Sequence, residues 1–194
     1  MNGAEQATQV LLALLRLGEQ SAAIAFERLS RSATLRPSDP YRNLLARVAI
    51  DEQRHDNELA RFTGPAIKLR LRGPARRFFI GLRDHDIRVH LARIAAVDGS
   101  VCQIITQILA RGMRDASATA LRKTLDGIRR DEGVHVRIAR RAAIRYGASN
   151  ELLRSVDQET RHLFGRVLCR HTGDFEALGV DAGDLLYRLD RATP

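Results

Sequence analysis

The chain has no tryptophan, only two cysteines and two methionines, and 5% aromatic residues among 194. An aromatic stacking surface for single-stranded nucleic acid or sugars is therefore a poor starting point. Cys102 and Cys169 are too few for a disulfide framework, a cysteine zinc site or a rubredoxin-type site. Glycine (14) and proline (5) are too scarce for a linker-dominated chain. Lysine is nearly absent. Of 32 basic residues only Lys68 and Lys123 are lysine. The net charge of +9 is thus carried by arginine, a bias better explained by GC-rich coding than by a polyanionic partner, so nucleic acid is disfavoured. No apolar stretch is long enough to span a membrane, and the first twenty residues carry no basic leader. These features predict a soluble, reduced, cytoplasmic protein with no membrane partner.

Helical periodicity fills almost all of the chain, and no alternating strand pattern interrupts it. A first helix is expected over 4–32, with Leu12, Leu15, Glu19, Ala23 and Phe26 on one face. A second follows Ser38 or Asp39 as cap, with Pro40 in its first turn, and carries Leu45, Val48, Glu52, His55 and Leu59. A third, over 84–111, aligns Leu91, Ile94, Asp98, Val101 and Ile105; Asp84 and Asp86 read as charges at its start. A fourth, over 117–146, aligns Leu125, Ile128, Glu132, His135 and Ala139 and stops at Gly147. A fifth is expected over 149–171, with Leu152, Val156, Leu163 and Val167 as its apolar stripe, and a short last helix follows Asp181. The short connections make antiparallel pairs, and the roughly 20-residue connection 64–83 can cross the bundle from end to end. That connection holds Lys68, Arg70, Arg72, Arg76, Arg77 and Arg83 without one acid. Residues 64–148 carry 18 basic and 7 acidic side chains, whereas 149–194 carry 6 and 8. The expected organisation is a helical bundle over 1–148 and a helical extension over 149–194 packed on it.

Six ionisable residues interrupt the apolar stripes: Glu19, Glu52, His55, Asp98, Glu132 and His135. An isolated buried charge costs several kcal/mol unless it is paired or bound to metal. Four carboxylates and two imidazoles around two dications would satisfy all six at once. Glu and His at i and i+3 project from one helix face, and the pattern occurs as Asp51-Glu52-x-x-His55 and Asp131-Glu132-x-x-His135. A third copy, Glu159-x-x-His162, sits off its helix's stripe and reads as a solvated face. Cys102, one turn past Asp98, reads as a small buried residue. Tyr41 and Phe26 read as packing, Glu27 as surface, and His85, His90 and His171 as ordinary.

The segments LGEQSAAIAF, IDEQRHD and RRDEGVH resemble ligand segments of the ferritin-like di-iron carboxylate superfamily, bacterioferritin most and rubrerythrin more loosely, over about residues 8–146. The resemblance implies an all-α, ferritin-like four-helix bundle with a long crossover between helices 2 and 3 and extra C-terminal helices. It implies Glu19 and His55 on one metal, Asp98 and His135 on the other, Glu52 and Glu132 bridging, and Asp51 and Asp131 accepting the ring N–H of the opposite pair's histidine. The third helix departs from the pattern, since Glu is usual where Asp98 stands; an alternative alignment of the local Asp-Gly puts the ligand position at Ala96. The implied cofactor is two iron ions, Fe/Fe with Mn/Fe as an option. The expected function is a di-iron oxidase or oxygenase that activates dioxygen to oxidise a small organic substrate, with no catalytic residue beyond the ligands. The alternatives are a ferroxidase and iron-storage protein, and a binding protein with a degenerate site. Expected partners are a substrate, dioxygen, an electron-donor or acidic carrier protein facing the basic connection, and a second copy in a homodimer.

Overall fold

The computed structural model describes residues 3–32, 35–63, 73–112 and 118–191. Among them there is no strand. The chain forms α1 (Gly3–Ser30), α2 (Pro40–Ala60), α3 (Pro74–Gly81), α4 (Ile87–Gln107), α5 (Thr119–Arg145), α6 (Asn150–Leu168), α7 (Thr172–Ala177) and α8 (Ala182–Arg191). The expected caps are in place. Asp39 accepts from the Tyr41 N–H at 2.9 Å with Pro40 in the first turn, and Ser149 accepts from the Leu152 N–H at 3.1 Å. Asp86 caps α4 through the Arg88 N–H, and Arg88 holds the Asp86 carboxyl down at about 2. Gly147 ends the α5 turn with φ 93°, where the Ala148 N–H reaches the Ala143 carbonyl at 2.9 Å.

Three expectations need correction. The 64–83 connection is not all coil: Pro74–Gly81 forms α3, because Phe79 has an apolar slot against Gly18 of α1. Lys68, Arg70 and Arg72 lie outside the described residues, as do Gly64 and Ser117. The α6 stripe runs through Leu153, Val156, Thr160, Phe164 and Val167, and Leu163 is exposed. The fifth helix also ends at Leu168, giving way to a tight turn, Cys169–His171, and to α7.

α1 and α2 run antiparallel, since Gln9 meets the Phe62 carbonyl and Arg16 meets Asp56. α4 and α5 do likewise, with Cys102 Sγ on the Arg129 carbonyl and Arg122 on that of Leu109. α2 and α5 meet through their D-E-x-x-H segments. α6 lies on α4, α7 on α1, and α8 on α6 and α4. Two apolar clusters fill the interior. One gathers Leu11, Leu15, Val101, Ile105, Phe164 and Phe175, so residues beyond 149 share a core with α1 and α4. The other gathers Phe26, Leu45, Val48, Leu91, Ala139 and Val156. The polar group at issue lies where these four long helices converge. No helix among the described residues is long and apolar enough to cross a membrane.

Candidate metal centre

α1 delivers Glu19, α2 delivers Glu52 and His55, α4 delivers Asp98, and α5 delivers Glu132 and His135; all six are at most 4% exposed. Each is inward because it occupies a stripe position of its helix. His55 Nδ1 lies 3.1 Å from Glu19, 3.2 Å from Glu132 and 3.9 Å from Glu52. His135 Nδ1 lies 2.8 Å from Glu52 and 3.6 Å from Glu132. The two rings stack with centroids 5.6 Å apart. Glu52, His55, Glu132 and His135 each offer one ligand atom, and these atoms lie within 4.8 Å of one another, so the four can hold a metal ion.

The outer ring nitrogens face the preceding acids of the opposite helix. His55 Nε2 lies 3.2 Å from Asp131, and His135 Nε2 lies 3.8 Å from Asp51. The Asp131 contact orients the His55 imidazole so that its Nδ1 faces the carboxylates, while Asp51 stands beyond hydrogen-bond distance of His135. Arg54 was not singled out by spacing, yet it ties the two sides together. Its guanidinium donates to Asp131 at 2.8 Å, to Asp51 at 3.3 Å and to Glu58 at 3.2 Å. Hydrogen bonds to Asp131 raise its pKa further. The signal was available: Arg54 sits at i+3 from Asp51 and i−4 from Glu58. Replacing Arg54 with Ala removes the clamp on both acids, and metal affinity falls about tenfold, the lower end of what such outer contacts carry. A competition titration against a chelator reads this.

Donor chemistry tests whether cations belong here. Glu52 Oε1, Glu132 Oε1, His135 Nδ1 and Asp98 Oδ2 are buried with no hydrogen-bond partner. Glu52 Oε1 and His135 Nδ1 are only 2.8 Å apart but are not aligned as donor and acceptor. Atoms that crowd a point without bonding one another suit a cation at that point better than a hydrogen-bond network. Oxygen and imidazole donors in this number fit first-row dications.

Charge tells the same story. Burial first, then the neighbouring Glu132, push the Glu52 and Asp98 carboxyls well above their ordinary range, and Glu19 upward as well. Burial also acts on Glu132, but its contacts with His135 and His55 outweigh it and hold that carboxyl low. Burial opposes the His55 imidazolium, yet the close approach of Glu132 and Glu19 wins and pushes it up to about 10. The sign for the metal-free protein follows. Carboxyls raised in the fold bind protons that the unfolded chain has lost, and so does His55 above its ordinary value of 6.5. Stability therefore declines as pH rises from about 7 towards 10, by on the order of 1 kcal/mol per pH unit per extra proton held. Metal binding expels those protons, so metal affinity rises over the same window. Thermal melts at pH 7, 8 and 9 with and without divalent metal check this: the metal-free Tm falls, and the gap to the loaded protein widens.

Asp98 stands apart from the close set of four. It lines a cavity of about 280 Å³ together with Glu19, Glu52 and Glu132, its Oδ2 unpartnered. Ala96, the other alignment, is buried and carries no donor. The cavity runs between α1 and α4, with α3 alongside, and its walls include Leu17, Phe79, Ile94 and Val97. His90, read as ordinary from sequence, also lines it. The remaining candidates lie elsewhere. Glu159 and His162 are exposed. Glu27 pairs on the surface with Arg31, and His171 pairs with Asp174. Cys102 is half-buried, its thiol pushed up to about 12 by burial. Phe26 packs edge-on against His135 and Tyr41 against Tyr146. No family model matches the chain, and no curated protein matches it, so the site is judged on its own geometry.

Proposed function

We propose that the protein is a ferritin-like dinuclear metal oxidoreductase that uses dioxygen to oxidise a small organic substrate. The observation that carries this reading is the apolar cavity that ends on Glu19, Glu52, Asp98 and Glu132. A storage site needs a path for ions; an apolar path to the ligands suits an organic molecule. In this reading Glu19, Glu52, His55, Asp98, Glu132 and His135 would hold the two ions. Two such ions, when bound, supply the electron transfer through which dioxygen is reduced.

The chain's own residues do the rest. Asp131 accepts the Nε2 proton of His55, leaving its Nδ1 a lone pair for metal, and Asp51 faces the outer nitrogen of His135 at 3.8 Å. Four carboxylates balance the charge of two dications. Leu17, Phe79, Ile94 and Val97 keep bulk water from the oxidising end of the cavity. In an oxidase the substrate itself gives up the electrons that dioxygen accepts. Oxygen insertion would need two more from an external reductant protein, since the chain has no cysteine pair that could relay them.

An aerobic Fe(II) titration of the metal-free protein tests the reading, with iron per chain counted after desalting. Saturation at about two irons is expected. Uptake that continues to many irons would replace the reading with storage, and no retained iron would leave a metal-free bundle. Parallel loading with Mn(II) plus Fe(II) separates the two cofactor forms, because the same donors accept both.

A further inference from the structure

The cavity has two unlike ends. Carboxylates occupy the inner end, and the other polar lining is supplied by Gln20, Ser21, His90, Arg76 and Arg83. Gln20 is committed to Asp56 at 3.0 Å, and Ser21 to the Leu17 carbonyl at 2.7 Å. His90 is not committed. It is 7% exposed, and its Nε2 has no hydrogen-bond partner. A buried polar atom without a partner carries a desolvation cost that a ligand can remove. Burial holds the His90 pKa down at about 4, with Arg83 and Arg93 adding to this against Asp84. The ring is therefore neutral at ordinary pH.

The charge around His90 is positive on balance. Asp84 is held by Arg93 at 3.1 Å. Arg76 and Arg83 are exposed, and neither guanidinium has a partner among the described residues. Arg83, whose charge acts on His90, and Arg76, which lines the same cavity, offer that cavity two unpaired guanidinium groups suited to an anion. From His90 to Asp98 is eight residues of one helix, a rise of about 12 Å. Ile94 and Val97 line the way between them. The volume of about 280 Å³ is near the lower limit for small-molecule sites, about 300 Å³, which excludes long acyl chains and polymers.

We infer that the cavity takes a small amphipathic carboxylic acid, its carboxylate at His90 with Arg83 and Arg76, and its apolar body laid along α4 towards Asp98. Its consequence for turnover rests on the oxidoreductase reading above; its binding does not. The acid's far, apolar end is then the part presented to the ligand cluster, so an oxidase would remove two hydrogens from carbons remote from the carboxylate as dioxygen becomes hydrogen peroxide. Arg76 and Arg83 supply the pull on the head group, and His90 fixes its position.

Calorimetric titration of the full-length, metal-free protein with octanoate, octanol, octylamine and octyl phosphate tests the inference. Octanoate is expected to bind at least about tenfold tighter than octanol or octylamine, with affinity falling as salt rises. Reversing both charges, Arg76→Glu with Arg83→Glu, is expected to weaken octanoate about tenfold and leave octanol unchanged. His90→Phe should weaken octanoate about fivefold and His90→Gln, which keeps a donor, should restore it. Thermal melts of each variant confirm folding, and the exposed arginine pair serves if His90→Phe fails to fold. Equal affinity for octanoate and octanol, or no octanoate binding at millimolar concentration, overturns the inference. Tighter binding of octyl phosphate than octanoate overturns the carboxylate assignment. Because these affinities are read without metal, a failed iron titration leaves them standing, and a failed octanoate titration leaves the metal reading standing.

Discussion

Glu52→Gln is expected to abolish the metal binding proposed for the cluster while leaving the metal-free fold nearly as stable as before. The two halves of that result have one cause. Glu52, like Glu132, is within reach of both histidines, 2.8 Å from His135 and 3.9 Å from His55. Gln keeps the length and shape but offers a neutral oxygen, and it leaves the cluster short of one negative charge. In the metal-free protein burial and three neighbouring carboxyls already push Glu52 well above its ordinary range. Burial thus favours its neutral, protonated form, which a neutral amide of the same shape imitates. So little stability is lost, and repulsion with Glu132, Glu19 and Asp98 does not change sign. The effect appears when metal is added. A ligand present at a hundred times its Kd stabilises the fold by about 2.7 kcal/mol. For a chain of this length that is a rise of about 5–10 °C in Tm. The wild type is expected to show it with Fe(II) under argon, and Glu52→Gln is not. A variant that keeps two irons through desalting would move the bridging role away from Glu52.

Much of the site could be read from the order of residues alone, because helix geometry is periodic. Glu52 with His55 and Glu132 with His135 must share a face whenever their segments are helical. The apolar residues on either side then show that the face is inward. Asp51 and Asp131 precede these pairs by one residue and so stand at the edge of the stripe, where they face the opposite histidine and Asp131 reaches it. The third E-x-x-H copy was separable for the same reason, since Glu159 and His162 fall outside the α6 stripe and are exposed.

Other features depend on the packing of distant segments, which periodicity does not encode. His90 has no ligand spacing, and only the approach of α1 and α3 makes it part of a cavity wall. Helix α3 was hidden because its basic composition reads as a solvated connection. Phe79 anchors it, and the neighbour that makes the contact possible, Gly18, lies far earlier in the chain, on α1. Arg54 shows an intermediate case. Its partners Asp51 and Glu58 are at helical spacing, but its shortest contact, with Asp131, needs α2 to meet α5. The α6 stripe passes through Phe164 rather than Leu163, one residue from where its apolar pattern points, because a buried arginine breaks that pattern.

That arginine is the subject of the largest expected loss of stability. Asp157→Ala is expected to destabilise the protein by about 3–5 kcal/mol. Arg161 is 4% exposed on the face of α6 that meets α4, and Asp157 accepts from its Nε at 2.6 Å. Ser100 offers a second acceptor at 3.3 Å. Gly99 leaves room for the guanidinium; a Cβ there would stand 3.1 Å from Arg161 Nη2. Without Asp157 a cation remains inside with one neutral hydroxyl, and Arg140, bound to the other Asp157 oxygen at 3.1 Å, loses its partner too. The cost is that of an uncompensated buried charge, and it exceeds the worth of the pair itself. Replacing both residues, Asp157→Ala with Arg161→Met, is accordingly expected to recover most of the loss, since methionine fills the channel without a charge. Urea unfolding of the four proteins in a double-mutant cycle gives the coupling between them. A loss under about 1 kcal/mol for Asp157→Ala would mean that Arg161 reaches water or another acceptor once Asp157 is gone. The contact matters for function through α4, because Gly99 and Ser100 directly follow Asp98. The ion pair fixes the register of α6 against the very turn that presents Asp98 to the cavity, so Asp157→Ala should also loosen metal binding while the conservative Asp157→Glu retains more of it.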